Sequence, residues 1–289
     1  MSKTRTVEKP AELLSFLFSA WPEVKRKQVR TWLKFQTVTV NGRPISQFNH
    51  PLRPGDVVAI SEDRFAAPKA VLPSGIKIRY EDDTVIVIEK PEGLLSMATD
   101  AEQEKTAYFQ LTEHLRHGND RARDRVWLVH RLDRETSGLM VFTKSAEAKT
   151  ALAGSWEKAE KRYEAVVEGR IIQDAGVLES DLDESNLLRV FSARPSDLTR
   201  HAVTRYRVLA RREWRTLVEL TLETGRRHQI RVQFADVGCP VIGDKKYGAK
   251  SDPAKRLCLH ACALSFIHPA TGVEMTFESP MPKALLKLV

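Results

Sequence analysis

The sequence predicts an α+β protein of two unequal domains, and three observations predict it. Short β-patterned runs recur through residues 76–289 with helical segments between them, the pattern of a mixed, largely antiparallel sheet. A stretch with two prolines and few large apolar residues, 65–75, separates that region from a small front module. Positive charge is also segregated: residues 1–65 hold 11 Lys and Arg against 6 Asp and Glu, so five of the eight net positive charges lie in less than a quarter of the chain.

The front module runs over 10–62. Leu13, Leu14, Leu17 and Phe18 repeat at helical spacing and predict a core helix. A signal peptide is the competing reading, but Glu8 and Glu12 interrupt it and Trp21-Pro22-Glu23 offers no small-residue cleavage site. A second helix is expected over 23–35, with Pro22 at its entry. At 100° per residue, Arg26, Lys27, Arg30 and Lys34 share one face, while Val24, Val29, Trp32, Leu33 and Phe35 share the other. The alternating run 37–40 enters Asn41-Gly42, a strong hairpin signal, and Pro54-Gly55-Asp56 turns into the strand 57–60. A basic helix face beside small strands can hold a phosphate backbone by charge alone.

After a linker over 63–75, the second domain opens with the strand 85–88, which ends in Lys90-Pro91-Glu92-Gly93. A helix is expected near 105–116, then a short run at Trp127-Leu128-Val129 and a strand over 139–143. Ser145 is placed to cap the next helix. Further strands are expected near 163–168, 203–209 and 216–222, a helix over 226–237, and strands near 257–266 and 273–277.

Composition bounds the function. With 42% hydrophobic and 29% charged residues the chain is globular rather than disordered, and a pI near 9.4 points to a polyanionic partner such as nucleic acid. Three cysteines cannot make a disulfide framework, so a reducing, cytoplasmic setting is expected. Cys258, His260 and Cys262 alternate with Leu257, Leu259 and Ala261, which reads as a buried strand rather than a zinc site. No apolar run approaches the length of a membrane span, and nothing calls for more than a monomer.

Chemistry concentrates in three segments. The first is His130-Arg131-Leu132-Asp133-Arg134-Glu135-Thr136-Ser137-Gly138, which sets a carboxylate between two arginines ahead of an apolar strand. Neighbouring cations favour an ionised carboxylate, and the strand would hold it rigidly. The second is Lys161-Arg162-Tyr163, a base-sized aromatic beside cations at a strand start. The third is Gly225-Arg226-Arg227-His228-Gln229-Ile230-Arg231, followed by Gly243-Asp244-Lys245-Lys246-Tyr247-Gly248. A protein kinase would need a Gly-rich phosphate cover and an Asp-Phe-Gly metal site, and neither is present. A metal nuclease would need clustered carboxylates, and Asp181, Asp183 and Glu184 fall in an expected loop without supporting ligands.

These segments, in this order, resemble the RluA-type family of RNA pseudouridine synthases. The resemblance extends to Lys90-Pro91-x-Gly93 and to Leu259-His260-Ala261 with His268-Pro269-x-Thr271-Gly272, and so spans nearly the whole chain. Arg30 followed by Val38-x-Val40-Asn41-Gly42 resembles the S4-type RNA-binding domain. The resemblance implies a pseudouridine synthase catalytic domain over 76–289, acting without metal or cofactor. It implies Asp133 as nucleophile, Arg231 as its buried cation partner and Tyr163 as the base-stacking aromatic. Whether Asp133 attacks the sugar, attacks the base or assists elimination stays open. Arg131 matches the position that inserts into RNA. Arg134, Lys161, Arg226 and Arg227 are expected at phosphates, as are Arg26, Lys27, Arg30 and Lys34 of the front module. His130 and His228 are expected to position loops. Ribosomal RNA is the expected substrate, with transfer RNA and a non-catalytic RNA-binding or ribosome-assembly role as alternatives. Met97, Gln233 and Cys239 depart from the family pattern near positions where histidine is frequent.

Overall fold

A computed structural model describes residues 3–34, 37–45, 47–60, 70–116, 123–186 and 188–289. The front module contains β1 (Lys3–Thr6), β2 (Ala11–Glu12), α1 (Leu13–Ala20), α2 (Arg26–Lys34), β3 (Val38–Val40), β4 (Arg43–Pro44), β5 (Pro51–Leu52) and β6 (Val57–Ile60). Its main sheet has the order β1-β6-β3-β4, and β2 pairs separately with β5. Leu13 and Leu17 of α1 and Val29, Trp32 and Leu33 of α2 are buried in one core with Trp21, whose ring meets Phe16 and Trp32 edge-on. Asn41 and Gly42 both take positive φ, as a two-residue hairpin turn requires. Arg26, Lys27 and Arg30 lie exposed along the outer face of α2, with Arg26 over the Phe18 ring. The side chain of Lys34 and residue Phe35 lie outside the described residues.

The larger domain begins earlier than the sequence suggests. Residues 61–69 lie outside the described residues, but Ala70–Val71 form β7, which pairs with β8 (Lys77–Glu81) around a turn closed by Gly75 at φ +84°. The end of the expected linker is therefore an edge hairpin. There follow β9 (Val85–Lys90), α3 (Ala107–Arg116), β10 (Trp127–Leu128), β11 (Ser137–Thr143), α4 (Ala146–Gly154) and β12 (Glu160–Glu168). Then come β13 (Ala175–Asp183), β14 (Phe191–Ala193), β15 (Thr199–Arg212), β16 (Arg215–Leu222), α5 (Gln229–Asp236), β17 (Leu259–Ile267), β18 (Glu274–Glu278) and α6 (Lys283–Leu286). Ser145 caps α4 by accepting the Ala148 N–H.

The strands form one sheet of order β14-β13-β15-β16-β12-β17-β11-β9-β8-β7, with β10 added on β11 and β18 on β17. Among the described strands β11–β17 is the one parallel pairing, so the sheet is mixed and largely antiparallel, as expected. Its central strands are buried on both faces. Met140 and Phe142 of β11, with Ile86 and Ile88 of β9, enter one core; Leu139 and Val141, with Val85 and Val87, enter the core on the other face. That double burial explains the unbroken apolar runs 85–88 and 139–142. Each such side chain stabilises the fold by roughly 1.5–3 kcal/mol, which makes these strands the rigid floor for the loops at their ends.

Two expectations need correction. Asp181 and Asp183 belong to β13 and not to a loop, because 175–183 pairs along its whole length with β15. Its alternating exposed and half-buried residues, with one fully buried position, kept it from reading as a strand. Helix α5 starts at Gln229 rather than 226. The Gln229 side chain accepts from the Arg226 N–H and from Thr224 Oγ1, which holds 224–228 as a loop ahead of the helix. Cys258 and Cys262 are free and buried, and no group of potential metal ligands occurs among the described residues.

Gly138 is the second residue of β11, which is buried throughout, and pairs with Lys90 on one side and Ala261 on the other, at φ +121°. A Cβ there would run into the Ala261 backbone, and the conformation disfavours any L side chain. Gly138→Ala is expected to destabilise the protein by more than about 2 kcal/mol, read as a lower midpoint in chemical denaturation.

Candidate active site

Asp133 lies on a short loop between β10 and β11, and the loop is clamped from behind. Ser96 Oγ donates to Leu132 O at 2.6 Å and accepts the Leu132 N–H at 3.1 Å. The Gly93 N–H donates to Arg134 O at 2.8 Å. Lys90 is completely buried at the end of β9, and its ammonium reaches three backbone carbonyls: Leu94 at 2.7 Å, Pro91 at 2.9 Å and Arg134 at 3.2 Å. Burial pulls the Lys90 pKa down to about 7, against the opposing pull of Asp133, Glu135 and Glu92. The carbonyls on both sides of Asp133 are thus tied to the 90–96 segment.

Arg231 reaches this loop from α5. Its side chain is only 4% exposed, and it makes a two-pronged ion pair with the fully buried Asp244, Nε to Oδ2 at 2.6 Å and Nη2 to Oδ1 at 2.8 Å. The remaining Nη1 donates to Asp133 Oδ2 at 3.2 Å, with Glu135 Oε2 at 3.5 Å. Burial alone would lower the Arg231 pKa, but Asp244 first and Asp133 second hold it above its ordinary value. Asp244 also caps the turn 245–247 by accepting the Tyr247 N–H, and the Tyr247 ring lies under the guanidinium at 5.3 Å. Asp133 itself is 15% exposed, and His228 Nε2 stands 3.9 Å from its Oδ1.

Asp133, Tyr163, Arg231, Arg131, Arg226 and His228 line one small pocket open to solvent, with Leu132, Leu222, Ile230 and Leu259 as apolar walls. Tyr163 enters it from β12 at a bulge in the pairing with β17, between Arg162 and Tyr163. Burial, reinforced by the Asp133 charge, raises the Tyr163 pKa and keeps the phenol neutral.

The other expected residues spread outward. Arg131 and Arg134 are exposed at the loop. Lys161 packs its ammonium 5.9 Å from the Trp156 ring centre. Arg226 donates to His201 O at 3.0 Å. Arg227 donates to the carbonyls of Glu184 and Asn186, while its own N–H bonds Glu184 Oε1, so it fastens the 184–190 loop. His130 is a neutral positioning group: its Nε2 accepts the Val141 N–H, its ring lies against Trp156, and burial lowers its pKa to about 3. Met97 and Cys239 lie outside the pocket, and Gln233 donates to Leu178 O, Ser180 Oγ and Ala202 O on the strands beneath.

Sequence reasoning assigned no role to Lys90, Asp244 or Tyr247. The available signals were a lysine ending an apolar strand and an acidic residue opening the Gly243–Gly248 segment.

Residues 84–236 match the family model described as RNA pseudouridylate synthase. The uncharacterized RNA pseudouridine synthase YlyB of Bacillus subtilis (strain 168) is 33% identical, over 98% of this chain and 94% of that protein. Ribosomal large subunit pseudouridine synthase D of Pseudomonas aeruginosa is 35% identical, over 93% of this chain and 88% of that one. Among solved structures, human RNA pseudouridylate synthase domain containing 4 aligns with a TM-score of 0.59 at 26% identity, covering 72% of this chain and 90% of the other.

Asp244 and Asp133 both touch Arg231 but differ in burial, and their removal should differ accordingly. Asp244→Ala leaves a buried guanidinium without its main partner and is expected to cost about 3–5 kcal/mol. Asp133→Asn keeps a hydrogen-bond acceptor at a partly open position and is expected to cost less than about 1 kcal/mol. Equilibrium denaturation of the two variants checks the ordering.

Proposed function

Because the chain belongs to the RNA pseudouridylate synthase family, and is therefore an isomerase acting on RNA, we propose that Asp133 is its nucleophile and ribosomal RNA its substrate. The observation that carries the first part is the division of labour around Arg231. Asp244 neutralises most of the buried cation, while Asp133 receives one Arg231 donor on Oδ2 and lines the pocket. A carboxylate so placed is held by its loop and by Arg231 and lines the pocket that a substrate would enter.

Isomerisation of uridine exchanges the N1–C1′ bond for a C5–C1′ bond. The uracil detaches, rotates and rejoins; C5 loses a proton, N1 gains one, and no electrons are transferred elsewhere. Attack on the sugar, attack on the base and assisted elimination all require a carboxylate at the reacting nucleotide, and Asp133 stands in the pocket beside the Arg231 guanidinium. The target must leave its stack to enter, and Tyr163 is the aromatic wall against which the extruded base lies. Arg131, exposed at the rim, fills the gap left in the RNA. Arg134, Lys161 and Arg226 meet phosphates, while Arg227 holds the neighbouring loop in place.

The preference for ribosomal RNA rests on the named activity of relatives that match along nearly the whole chain, such as the Pseudomonas aeruginosa protein. It rests also on the front module, which we assign as an S4-like RNA grip working through Arg26, Lys27, Arg30 and Lys34 on α2.

Asp133→Asn is expected to lower pseudouridine formation by about a thousandfold or more, while RNA affinity stays within about threefold. Mapping pseudouridine in total RNA from cells with wild type, Asp133→Asn and no protein is expected to show the same ribosomal sites lost in the last two. Sites lost only from transfer RNA would move the substrate there, and modification persisting in Asp133→Asn would remove the nucleophile assignment.

Reversing charge in the front module, with Arg26→Glu, Lys27→Glu and Arg30→Glu together, is expected to weaken RNA binding. The slope of log affinity against log salt should shrink by about 0.7–0.9 for each phosphate that the protein no longer neutralises. Filter binding across a salt series reads both; an unchanged slope would remove the grip from this face.

A further inference from the structure

His228 adopts a left-handed backbone, φ 55°, immediately before α5. Such a conformation is uncommon for a residue with a side chain and is retained where the surroundings enforce it. Here the enforcing contacts are visible: Gln229 holds the Arg226 N–H, Glu184 holds the Arg227 N–H, and the His228 carbonyl accepts the Val232 N–H at 3.0 Å. The result is an imidazole, 12% exposed, lying over the pocket with Nδ1 turned to Tyr247 and Nε2 turned to Asp133.

Tyr247 decides which ring nitrogen carries the proton. Its hydroxyl oxygen lies 2.7 Å from His228 Nδ1 and accepts the Val190 N–H at 3.0 Å. Tyr247 is buried, and among the described residues its hydroxyl has no other acceptor within hydrogen-bonding distance. The arrangement that pairs every polar atom has Tyr247 accepting from Val190 and donating to Nδ1. An imidazole that accepts at Nδ1 carries its hydrogen on Nε2. That Nε2–H faces Asp133 Oδ1 across 3.9 Å, too far for a hydrogen bond between them.

We infer that the Tyr247–His228 pair presents a neutral Nε2–H donor to an oxygen of the target nucleotide, fixing that nucleotide beside Asp133. The inference rests on the proposed reading of Asp133 as the reacting carboxylate and adds a substrate-contacting group to it. His228 moves no proton: the ring stays neutral throughout, and the hydrogen lost from C5 and the one gained at N1 pass elsewhere. Burial lowers the His228 pKa; Asp133 opposes that, and Arg231, Lys246 and Arg227 reinforce it. The acceptor is a carbonyl oxygen of the uracil or a hydroxyl of its ribose.

The test combines a spectroscopic signature with kinetics on the full chain. Long-range proton–nitrogen correlation of histidine-labelled protein at pH 7 is expected to show His228 protonated at Nε2 and bare at Nδ1. Tyr247→Phe keeps the ring beneath Arg231 but removes the hydroxyl. It is expected to give mixed tautomers and a kcat lower by about tenfold, the loss of one transition-state hydrogen bond, at unchanged KM. His228→Gln, which keeps an N–H donor, should retain more kcat than His228→Leu. Substrates carrying 2-thiouridine, 4-thiouridine or 2′-deoxyuridine at the target distinguish the acceptors. The one whose rate no longer depends on whether residue 228 is His or Leu is the one that lacks the recognised oxygen. An Nδ1–H tautomer or an imidazolium in the wild type, a Tyr247→Phe variant with wild-type kcat, or His228→Leu with wild-type kcat would each overturn the inference. None of these touches the nucleophile assignment, which falls only if Asp133→Asn is active, whereas the tautomer is read without substrate.

Discussion

One buried guanidinium organises this site. Taking a charge out of water costs several kcal/mol, and a cation with 4% of its side chain exposed persists only if paired and hydrogen-bonded. Asp244 meets that requirement with two short, parallel contacts, and the Tyr247 ring covers the guanidinium face. The arrangement leaves Arg231 with a single terminal nitrogen for Asp133. Had Asp133 been the main partner, its two oxygens would have been consumed by the ion pair. Because Asp244 takes that part, Asp133 is held by a charge that it does not have to neutralise alone, and it lines the pocket.

The sheet order explains why these residues meet although about a hundred positions separate Asp133 from Arg231. The parallel pairing of β11 with β17 sets Gly138, just after the Asp133 loop, against Ala261, and β12 flanks β17 on its other side, so Tyr163 comes within reach of the same pocket. Helix α5 packs against β13, β14 and β15, burying Ile230 and Phe234 in the main core and Val232 in a satellite core with Val190 and Tyr247. Because α5 is buried from Gln229 to Phe234, Arg231 has little freedom to swing away from the carboxylates.

Much of this was legible in the sequence, for physical reasons that differ by element. Strands β9 and β11 announced themselves because burial on both faces demands continuous apolar runs, and the Asn41-Gly42 turn did so because few residues tolerate its backbone. Asp133, Tyr163 and Arg231 were recognisable through the motifs around them, and the structure lines one pocket with all three. Strands β1, β8, β13 and β14 were hidden because edge or one-sided strands carry polar and charged residues that also suit loops. The start of α5 was misplaced because the Gln229 side chain holds Thr224 and Arg226 in a loop ahead of the helix, a hook that no propensity encodes. Asp244 escaped notice because an acidic residue in a Gly-Asp turn has an ordinary local explanation; only the fold brings it to Arg231.

The pattern of satisfied and unsatisfied groups at the pocket bears on how such a site can accelerate a reaction. Lys90 is used up on three carbonyls, His130 on the Val141 N–H, and Asp244 on Arg231 and Tyr247. Groups with no partner to rearrange cannot reorganise when charge shifts in the reacting nucleotide, so the electrostatic field at Asp133 is set before substrate arrives. The polar side chains lining the pocket include Asp133, Tyr163 and His228, with Arg131 and Arg226 beside them. Under the proposed function, such a site would select by the few contacts it leaves available, while exposed cations such as Arg134 would act on the RNA backbone regardless of base.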